Sequence, residues 1–217
     1  MKRCSCWEVA TVAFVLFGSV LAIGAQDSHA GFNIGRDSFS VSNEPGHCFA
    51  MAAFSRWYFL TNEGGPPLRG VCSRRTQRRI ARELQNFYSK RLVRIQAEYC
   101  NRYSGDPTES FRRFILGVMM GEPRIVLLMN RSSRGAVLHA VLAYEWLPEH
   151  NYLKVYDPNY CNQARIIDLD RMEYQSLDIA YNAFCFPEIF NNHNGLVRKM
   201  RQLYNRHMAK RAAYRAR

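Results

Sequence analysis

Three side chains of the sequence have the chemistry of a nucleophilic catalytic site, namely Cys48, His139 and Asp157. Cys48 follows Gly46 and His47 in the stretch NEPGHCFAMAAF, at the predicted start of an apolar helix. A thiol at a helix N-terminus lies at the positive end of the helix dipole, and a neighbouring imidazolium further favours its thiolate form. A thiol nucleophile of this kind needs a base, and the base needs a third group that orients it.

His139 and Asp157 are candidates for the base and the orienting group because they lie on two predicted strands joined by a turn at 148–151. Facing residues of an antiparallel pair have numbers with a constant sum. The numbers 139 and 157 sum to 296, which places the midpoint at residue 148, in the turn. We therefore expect close cross-strand neighbours, with the carboxylate holding one imidazole nitrogen and the other nitrogen facing Cys48.

Asn43 lies five residues before Cys48 in a loop with Pro and Gly, and its amide is a candidate oxyanion donor together with the backbone N–H of Cys48. His47 is a competing base, but from a helix start we expect its ring to point away from the thiol. His150 lies in the predicted turn, far from the site.

Each of these residues also has an ordinary structural interpretation. An isolated Cys on an apolar helix most often belongs to the core, and a single His in a strand is most often a satisfied core residue. The DPN sequence that follows the second strand is an ordinary turn sequence. The order Cys, His, Asp and the midpoint at the turn favour the triad over these readings.

The first half of the chain is predicted to be mainly helical. We expect a loop over 27–41, a buried helix over 47–60, and one long helix or two shorter ones over 74–103. In GDPTESFRRFILGVM, Asp106 is a good N-cap and Pro107 suits the first helical position.

The second half changes to short runs rich in Val, Ile, Leu and Tyr, a pattern typical of antiparallel strands. Helices followed by a sheet indicate an α+β domain. After PEIFNNHNG, a basic helix with Leu196, Met200 and Leu203 on one side ends the chain. The predicted strands are RIVLLMN, AVLHAVLAYEWL, NYLKVYD, ARIIDL and SLDIAYNAF.

The N-terminal segment has the layout of a secretory signal peptide, because Lys2 and Arg3 precede an uncharged apolar run over 9–23 and small residues follow it. We therefore assign 1–25 to a signal peptide or, if it is not cleaved, a membrane anchor. The remaining residues, 26–217, are read as a single domain ending in a basic helix at about 195–217. The expected location is exported, either periplasmic or secreted. With 217 residues, 47% of them hydrophobic and 22% charged, the chain is long enough for a real core.

Export also affects the reading of the cysteines. Removal of Cys4 and Cys6 with the signal leaves an odd number of cysteines, so at least one is expected to be unpaired. The sequence-local pairs 72 with 100 and 161 with 185 would leave Cys48 free, although sequence alone does not fix the connectivity.

The GHCFAMA entry to the helix and the HAVLAYEW…LKVYDPNY hairpin resemble papain-like cysteine peptidases, especially the bacterial branch similar to bacteriocin-processing peptidases. The resemblance implies a papain-like fold, with the nucleophile on a helix before the sheet. It implies Cys48 as nucleophile, His139 as general base and acid, and Asp157 as the group that orients His139. One departure concerns the oxyanion amide, usually a Gln somewhat further upstream, whereas this sequence has Ser42 and Asn43 before the Cys.

Charge is the second strong signal, with a formal net charge of +12 and a sequence pI of about 9.6. Residues 69–94 hold nine Lys or Arg against Glu83 alone, and residues 198–217 hold eight with no acid. For an exported protein, Arg74–Arg94 and Arg198–Arg217 favour an anionic membrane or envelope surface over a specific nucleic acid. The alternative is that these are solvated helix faces, the last helix docking through Leu196, Met200 and Leu203.

The sequence contains no Cys or His pair at zinc-ligand spacing and no glycine-rich phosphate loop, so no cofactor or metal is expected. Two functions follow. The first is an exported cysteine hydrolase, a peptidase, that cleaves a peptide or amide bond through an acyl-enzyme. The second is a catalytically silent papain-like module that binds an anionic envelope surface or a protein partner. An acyltransferase on the same fold is a further alternative, and the oligomeric state stays open.

Overall fold

The computed structural model describes residues 31–44, 46–62, 65–102, 107–130, 137–187 and 194–215. Within these ranges, helices come first, an antiparallel sheet follows, and one long helix ends the described chain. This confirms the predicted α+β class. The predicted signal peptide or anchor at 1–25 lies outside the described residues.

Most of the predicted helices are present, with small differences at their ends. A short helix interrupts the predicted loop over 27–41, and the Asn33 side chain caps it by accepting a hydrogen bond from the backbone N–H of Arg36. The segment after residue 74 forms one helix rather than two, and the helix expected at Pro107 begins there, while Asp106 lies outside the described residues. No described helix has both the length and the apolar character needed to cross a bilayer. The helices are α1 (Ile34–Asp37), α2 (Cys48–Thr61), α3 (Leu68–Val71), α4 (Arg74–Arg102), α5 (Pro107–Met119) and α6 (Asn194–Arg215).

The described part of the chain contains seven strands, β1 (Arg124–Asn130), β2 (Val137–Leu147), β3 (Tyr152–Tyr156), β4 (Ala164–Asp168), β5 (Tyr174–Ser176), β6 (Ile179–Tyr181) and β7 (Ala183–Cys185). They form a five-stranded antiparallel sheet in the order β4, β3, β2, β1, β7 and a two-stranded sheet of β5 and β6. The prediction of one strand in SLDIAYNAF was wrong. Leu177 has a φ of 54°, and a two-residue turn there folds β6 back onto β5, while β7 pairs with β1.

The turn between β2 and β3 lies at 148–151 as predicted, but the predicted register was wrong. Leu147 pairs with Tyr152, a sum of 299, and Leu142 pairs with Tyr156, a sum of 298. The sum changes because β2 has a bulge between residues 143 and 145, which places one extra residue on that strand. Extended by one residue, this register sets Asp157 opposite residue 141, two positions from His139. His139 and Asp157 are therefore diagonal neighbours rather than a facing pair.

The five-stranded sheet is packed on both faces. Residues 125 and 127 of β1 belong to the core that contains α2, whereas residues 126 and 128 belong to the core that contains α5. Residues 49–58 of α2 are all buried, since the helix lies among the sheet, α4 and α6. This burial accounts for the uncharged start of α2 and fixes Cys48 at its N-terminal end.

The last helix docks on the domain through the three apolar residues identified in the sequence. Leu196, Met200 and Leu203 are buried in the same core as α2, and the Tyr204 ring contacts that of Trp57 with centroids 5.7 Å apart. The basic residues of α6 that are described lie on the other side and are mostly exposed. The docking therefore agrees with the expectation that the last helix packs on the core through these apolar residues and exposes its arginines to solvent.

Candidate active site

His139 and Asp157 form a buried hydrogen-bonded pair. His139 Nε2 lies 2.7 Å from Asp157 Oδ1, and the two residues are 4% and 0% exposed. His139 is held on β2, which lies between β1 and β3, where its backbone faces Leu128. Asp157 is the first residue after β3 and is followed by Pro158. The strand ends here because proline has a fixed φ and no N–H to donate to a neighbouring strand.

Asp157 accepts hydrogen bonds on both carboxylate oxygens. Besides His139, Oδ1 accepts from the backbone N–H of Asn159 at 2.8 Å. Oδ2 accepts from the hydroxyl groups of Tyr174 and Ser176, each at 2.7 Å. Burial alone would raise the pKa of Asp157, but the hydrogen bonds, foremost that of His139, hold it below its ordinary value. The buried carboxylate therefore stays ionised and has a fixed orientation.

Cys48 is the first residue of α2, is partly buried, and carries a free thiol. The thiol lies close enough to the His139 imidazole for its charge and its hydrogen-bonding capacity to raise the pKa of the imidazole. Because Nε2 is the nitrogen that faces Asp157, Nδ1 is the ring nitrogen left for the thiol. Burial alone would lower the pKa of His139, yet the hydrogen bond to Asp157 and the influence of the neighbouring Cys48 outweigh it and raise that pKa to about 9. The three predicted triad residues are thus brought together with the imidazole in the middle.

Tyr181 of β6 covers the imidazole of His139. The two rings are stacked, with centroids 5.8 Å apart and an angle of 29° between their planes. Burial, and then the charges of Cys48 and Asp157, raise the pKa of Tyr181 to about 12, so its hydroxyl stays protonated at neutral pH. The ring limits the positions that the imidazole can adopt.

Asn43 joins the loop before Cys48 to the turn after β3. Its Nδ2 donates to Asn159 Oδ1 at 3.0 Å, and its backbone N–H donates to the carbonyl of Pro158 at 2.8 Å. Its Oδ1 accepts from the backbone N–H of His47 at 3.2 Å. One N–H of the Asn43 amide remains for an oxyanion, and within the described residues no acceptor takes the backbone N–H of Cys48.

The other histidines near the motif have different surroundings. His47 is the N-cap residue of α2, and its Nδ1 lies 3.9 Å from Glu44 Oε2. Burial lowers the pKa of His47, only partly opposed by the charge of Glu44. His150 lies in the exposed turn at 148–151, as expected.

The predicted pairing of Cys161 with Cys185 was wrong. Cys161 carries a free thiol, and its Sγ lies 3.5 Å from Ser42 Oγ, next to the loop that carries Asn43. The other predicted pair involves Cys100, whose side chain lies outside the described residues. The free thiol of Cys48 agrees with the expectation that it is unpaired.

Sequence reasoning missed four residues of the site, namely Asn159, Tyr174, Ser176 and Tyr181. Asn159 could have been found, because Asp-Pro-Asn is a turn in which the Asp side chain accepts from the backbone N–H two residues later. The other three carry no local signal. They reach the site through the β5 and β6 hairpin, whose position depends on the whole fold.

Within the described ranges, no group of three or more His, Cys, Asp and Glu side chains is placed to hold a metal ion. Comparison of the chain with protein-family models, with curated proteins and with solved structures gave no match. The likeness to papain-like peptidases therefore rests on the quoted motifs alone.

Proposed function

We propose that the protein is an exported cysteine hydrolase, a peptidase of papain-like type, that cleaves a peptide or amide bond through an acyl-enzyme. One observation carries the proposal: the imidazole of His139 is hydrogen-bonded to the buried Asp157 carboxylate, and the thiol at the start of α2 lies close enough to raise the pKa of that imidazole. An orienting acid, a base and a nucleophile in this order are the parts that covalent acyl transfer requires.

In the first half-reaction, His139 Nδ1 takes the thiol proton, and Cys48 Sγ attacks the substrate carbonyl carbon. The C–N bond then breaks, and the imidazolium returns its proton to the leaving amine. This leaves a thioester on Cys48. In the second half-reaction, His139 removes a proton from water, hydroxide adds to the thioester carbonyl, and Cys48 leaves as a thiolate that regains its proton.

The surrounding groups support each step. Asp157 fixes the imidazole tautomer with Nδ1 toward the thiol and stabilises the imidazolium. The backbone N–H of Cys48 and the remaining N–H of Asn43 would donate to the oxyanion that develops on the substrate carbonyl. An amine in place of water in the second half-reaction would make the protein an acyltransferase on the same site.

Thiol labelling and activity measured on the full chain test this proposal. An iodoacetamide probe should label Cys48 faster than Cys161, and Cys48→Ala should abolish turnover of a fluorogenic peptide library while the circular dichroism spectrum is unchanged. The matched control is Cys161→Ala, which removes a free thiol outside the triad and should keep activity. Equal labelling of both thiols, with peptide turnover that survives Cys48→Ala, would overturn the proposal.

An acyltransferase is distinguished by its products. Mass spectrometry of reactions with and without an added primary amine identifies the acyl acceptor. A free acid in both reactions supports the hydrolase, and an amide product in the presence of the amine supports the transferase.

The second candidate function, binding to an anionic envelope surface, is favoured by a separate observation. Five arginines are exposed and form no ion pair with a described acidic residue: Arg74, Arg75, Arg79, Arg198 and Arg201. Vesicles with and without an anionic lipid, sedimented with the full chain at low and high salt, test it. Binding that needs the anionic lipid and is lost at high salt supports this function, and equal binding to both vesicles contradicts it.

A further inference from the structure

We infer that Arg78 and Arg82 form a subsite beside Cys48 that accepts an acidic side chain of a peptide substrate. The inference rests on the proposed function and adds a substrate class to it. It is carried by the way α4 lies against the first turn of α2 and by the ion pairs that hold the two arginines there.

The face of α4 that carries these arginines borders the start of α2. Residues 78, 82 and 85 are spaced by four and three positions, so they share one helix face. On that face, Gln85 Oε1 accepts the backbone N–H of Ala50 at 3.2 Å, in the first turn of α2. Arg82 lies about one helical turn, or roughly 5 Å along the axis, from Gln85. The stripe therefore runs alongside the end of α2 that carries Cys48.

Glu44, in the loop that leads to Cys48, holds both arginines. Its Oε1 lies 3.5 Å from Arg78 Nε, and its Oε2 lies 3.2 Å from Arg82 Nη2. The Arg78 and Arg82 side chains nevertheless remain 55% and 61% exposed. Most of their N–H donors thus stay available to a ligand while the ion pairs restrict where the guanidinium groups lie.

The cluster keeps a positive balance. Two guanidinium groups face one carboxylate, and His47, the other titratable group on Glu44, has its pKa lowered by burial and is neutral at pH 7. Guanidinium groups bind carboxylates through paired N–H donors, so an acidic residue of a bound peptide is the ligand that fits this chemistry.

Such surface ion pairs stabilise a protein by about 1 kcal/mol or less, so their contribution to the free energy of unfolding is small. The pair of arginines is held by Glu44 in the loop that leads to Cys48, and the charge of Arg82 adds to burial in lowering the pKa of His47, the residue before Cys48. We therefore expect the pair to affect the potential at the thiol at moderate salt. An anionic group approaching Cys48 is therefore attracted by this face of α4.

The test compares two alkylating reagents of similar size on the full chain, the anion iodoacetate and the neutral iodoacetamide. The ratio of their rate constants at Cys48 measures the local potential and needs no knowledge of the substrate. In Arg78→Gln with Arg82→Gln, we expect the ratio of iodoacetate to iodoacetamide to fall about fivefold at low salt. The difference should shrink at 0.5 M NaCl, where screening is stronger.

The matched control is Arg198→Gln with Arg201→Gln. It removes the same number of charges from α6, which packs against the opposite flank of α4 through Lys199 and Phe87. This control should change the ratio less than about 1.5-fold, because α6 contacts α4 on the flank opposite to Arg78 and Arg82. Glu44→Gln removes the anion of the cluster and should raise the ratio.

Peptide turnover provides the second measurement. Matched fluorogenic peptides with Glu or Gln beside the scissile bond should differ in kcat/KM in favour of Glu. The preference should be lost in Arg78→Gln with Arg82→Gln and kept in the α6 control.

The outcomes separate the two proposals. If Cys48 reacts with neither reagent and no peptide is cleaved, the proposed hydrolase function fails. If Cys48 reacts with both reagents but the ratio and the Glu preference are the same in the α4 variant and the α6 control, the hydrolase function stands and the acidic subsite is overturned.

Discussion

Tyr174 donates its hydroxyl to Oδ2 of Asp157 at 2.7 Å, on the carboxylate oxygen opposite the one that holds His139. Ser176 donates to the same oxygen, also at 2.7 Å. The two hydroxyl groups come from β5, outside the five-stranded sheet that carries His139. The orientation of the acid therefore depends on a second, smaller sheet.

Tyr174→Phe should lower both stability and activity. It removes a donor to a buried carboxylate, so we expect the free energy of unfolding to fall by about 2 kcal/mol. The Asp157 pKa is held low by its hydrogen bonds, so the stabilisation is present at neutral pH and is lost as the pH falls through that pKa. Urea titrations at several pH values measure this, and kcat should fall about tenfold with KM nearly unchanged.

The matched control is Tyr152→Phe, which removes a hydroxyl from a tyrosine at the far end of the hairpin. Its ring contacts that of His150 in the turn. Equal losses of kcat in Tyr152→Phe and Tyr174→Phe would contradict the orienting role of the Tyr174 hydroxyl.

The pH dependence of kcat/KM should show an alkaline limb near pH 9. The imidazolium of His139 must return a proton to the leaving amine, and hydrogen bonds raise its pKa to about 9 against the opposing effect of burial. Asp157→Asn removes the charge that favours the imidazolium, so the limb should move toward about 6.5. The rate should also fall about 10³-fold or more, since the tautomer is no longer fixed.

Rates measured from pH 5 to pH 10 on a neutral peptide check both effects. A limb that stays in place in Asp157→Asn would show that another group titrates there.

The bond between Asn43 and Asn159 should couple the nucleophile loop to the acid turn. We expect the double-mutant cycle of Asn43→Ala and Asn159→Ala to give an interaction energy of about 1 kcal/mol in the free energy of unfolding. The control cycle pairs Asn43→Ala with Asn205→Ala on the exposed face of α6 and should be additive within about 0.5 kcal/mol. Additivity in both cycles would remove the support for this link.

Docking of α6 should be a major contribution to stability. Leu203 is fully buried in the core around α2, so Leu203→Ala should lower the free energy of unfolding by about 2 to 5 kcal/mol. The exposed neighbour supplies the control, since Gln202→Ala should change it by less than about 0.5 kcal/mol. Denaturant titration measures both variants, and a similar small effect in each would mean that the helix is not held by this residue.

Many of the helices and strands could be predicted, because the spacing of apolar residues along the chain shows which face of each element is buried. The apolar run after residue 47, the first four predicted strands and the stripe through Leu203 each gave the correct element, and the turn at 148–151 was placed correctly. The cross-strand prediction identified His139 and Asp157 as neighbours, although the two meet diagonally.

The remaining features could not be predicted, for physical reasons. The bulge in β2 adds a residue that becomes visible only in the hydrogen-bonded ladder. Tyr174 and Tyr181 reach the site because Leu177 adopts a positive φ and folds one predicted strand into a hairpin. The contact of Glu44 with Arg82 joins residues 38 positions apart, which no local pattern indicates.

The turn at 148–151 lies at the opposite end of the β2 and β3 hairpin from His139 and Asp157. Leu147 lies eight positions after His139 along β2, roughly 26 Å of extended chain. The tip is exposed at Glu149 and His150, and exposed loop tips tolerate inserted sequence well. The tip is therefore the position at which a reporter peptide or an immobilisation handle can be introduced while the catalytic end of the molecule stays unobstructed.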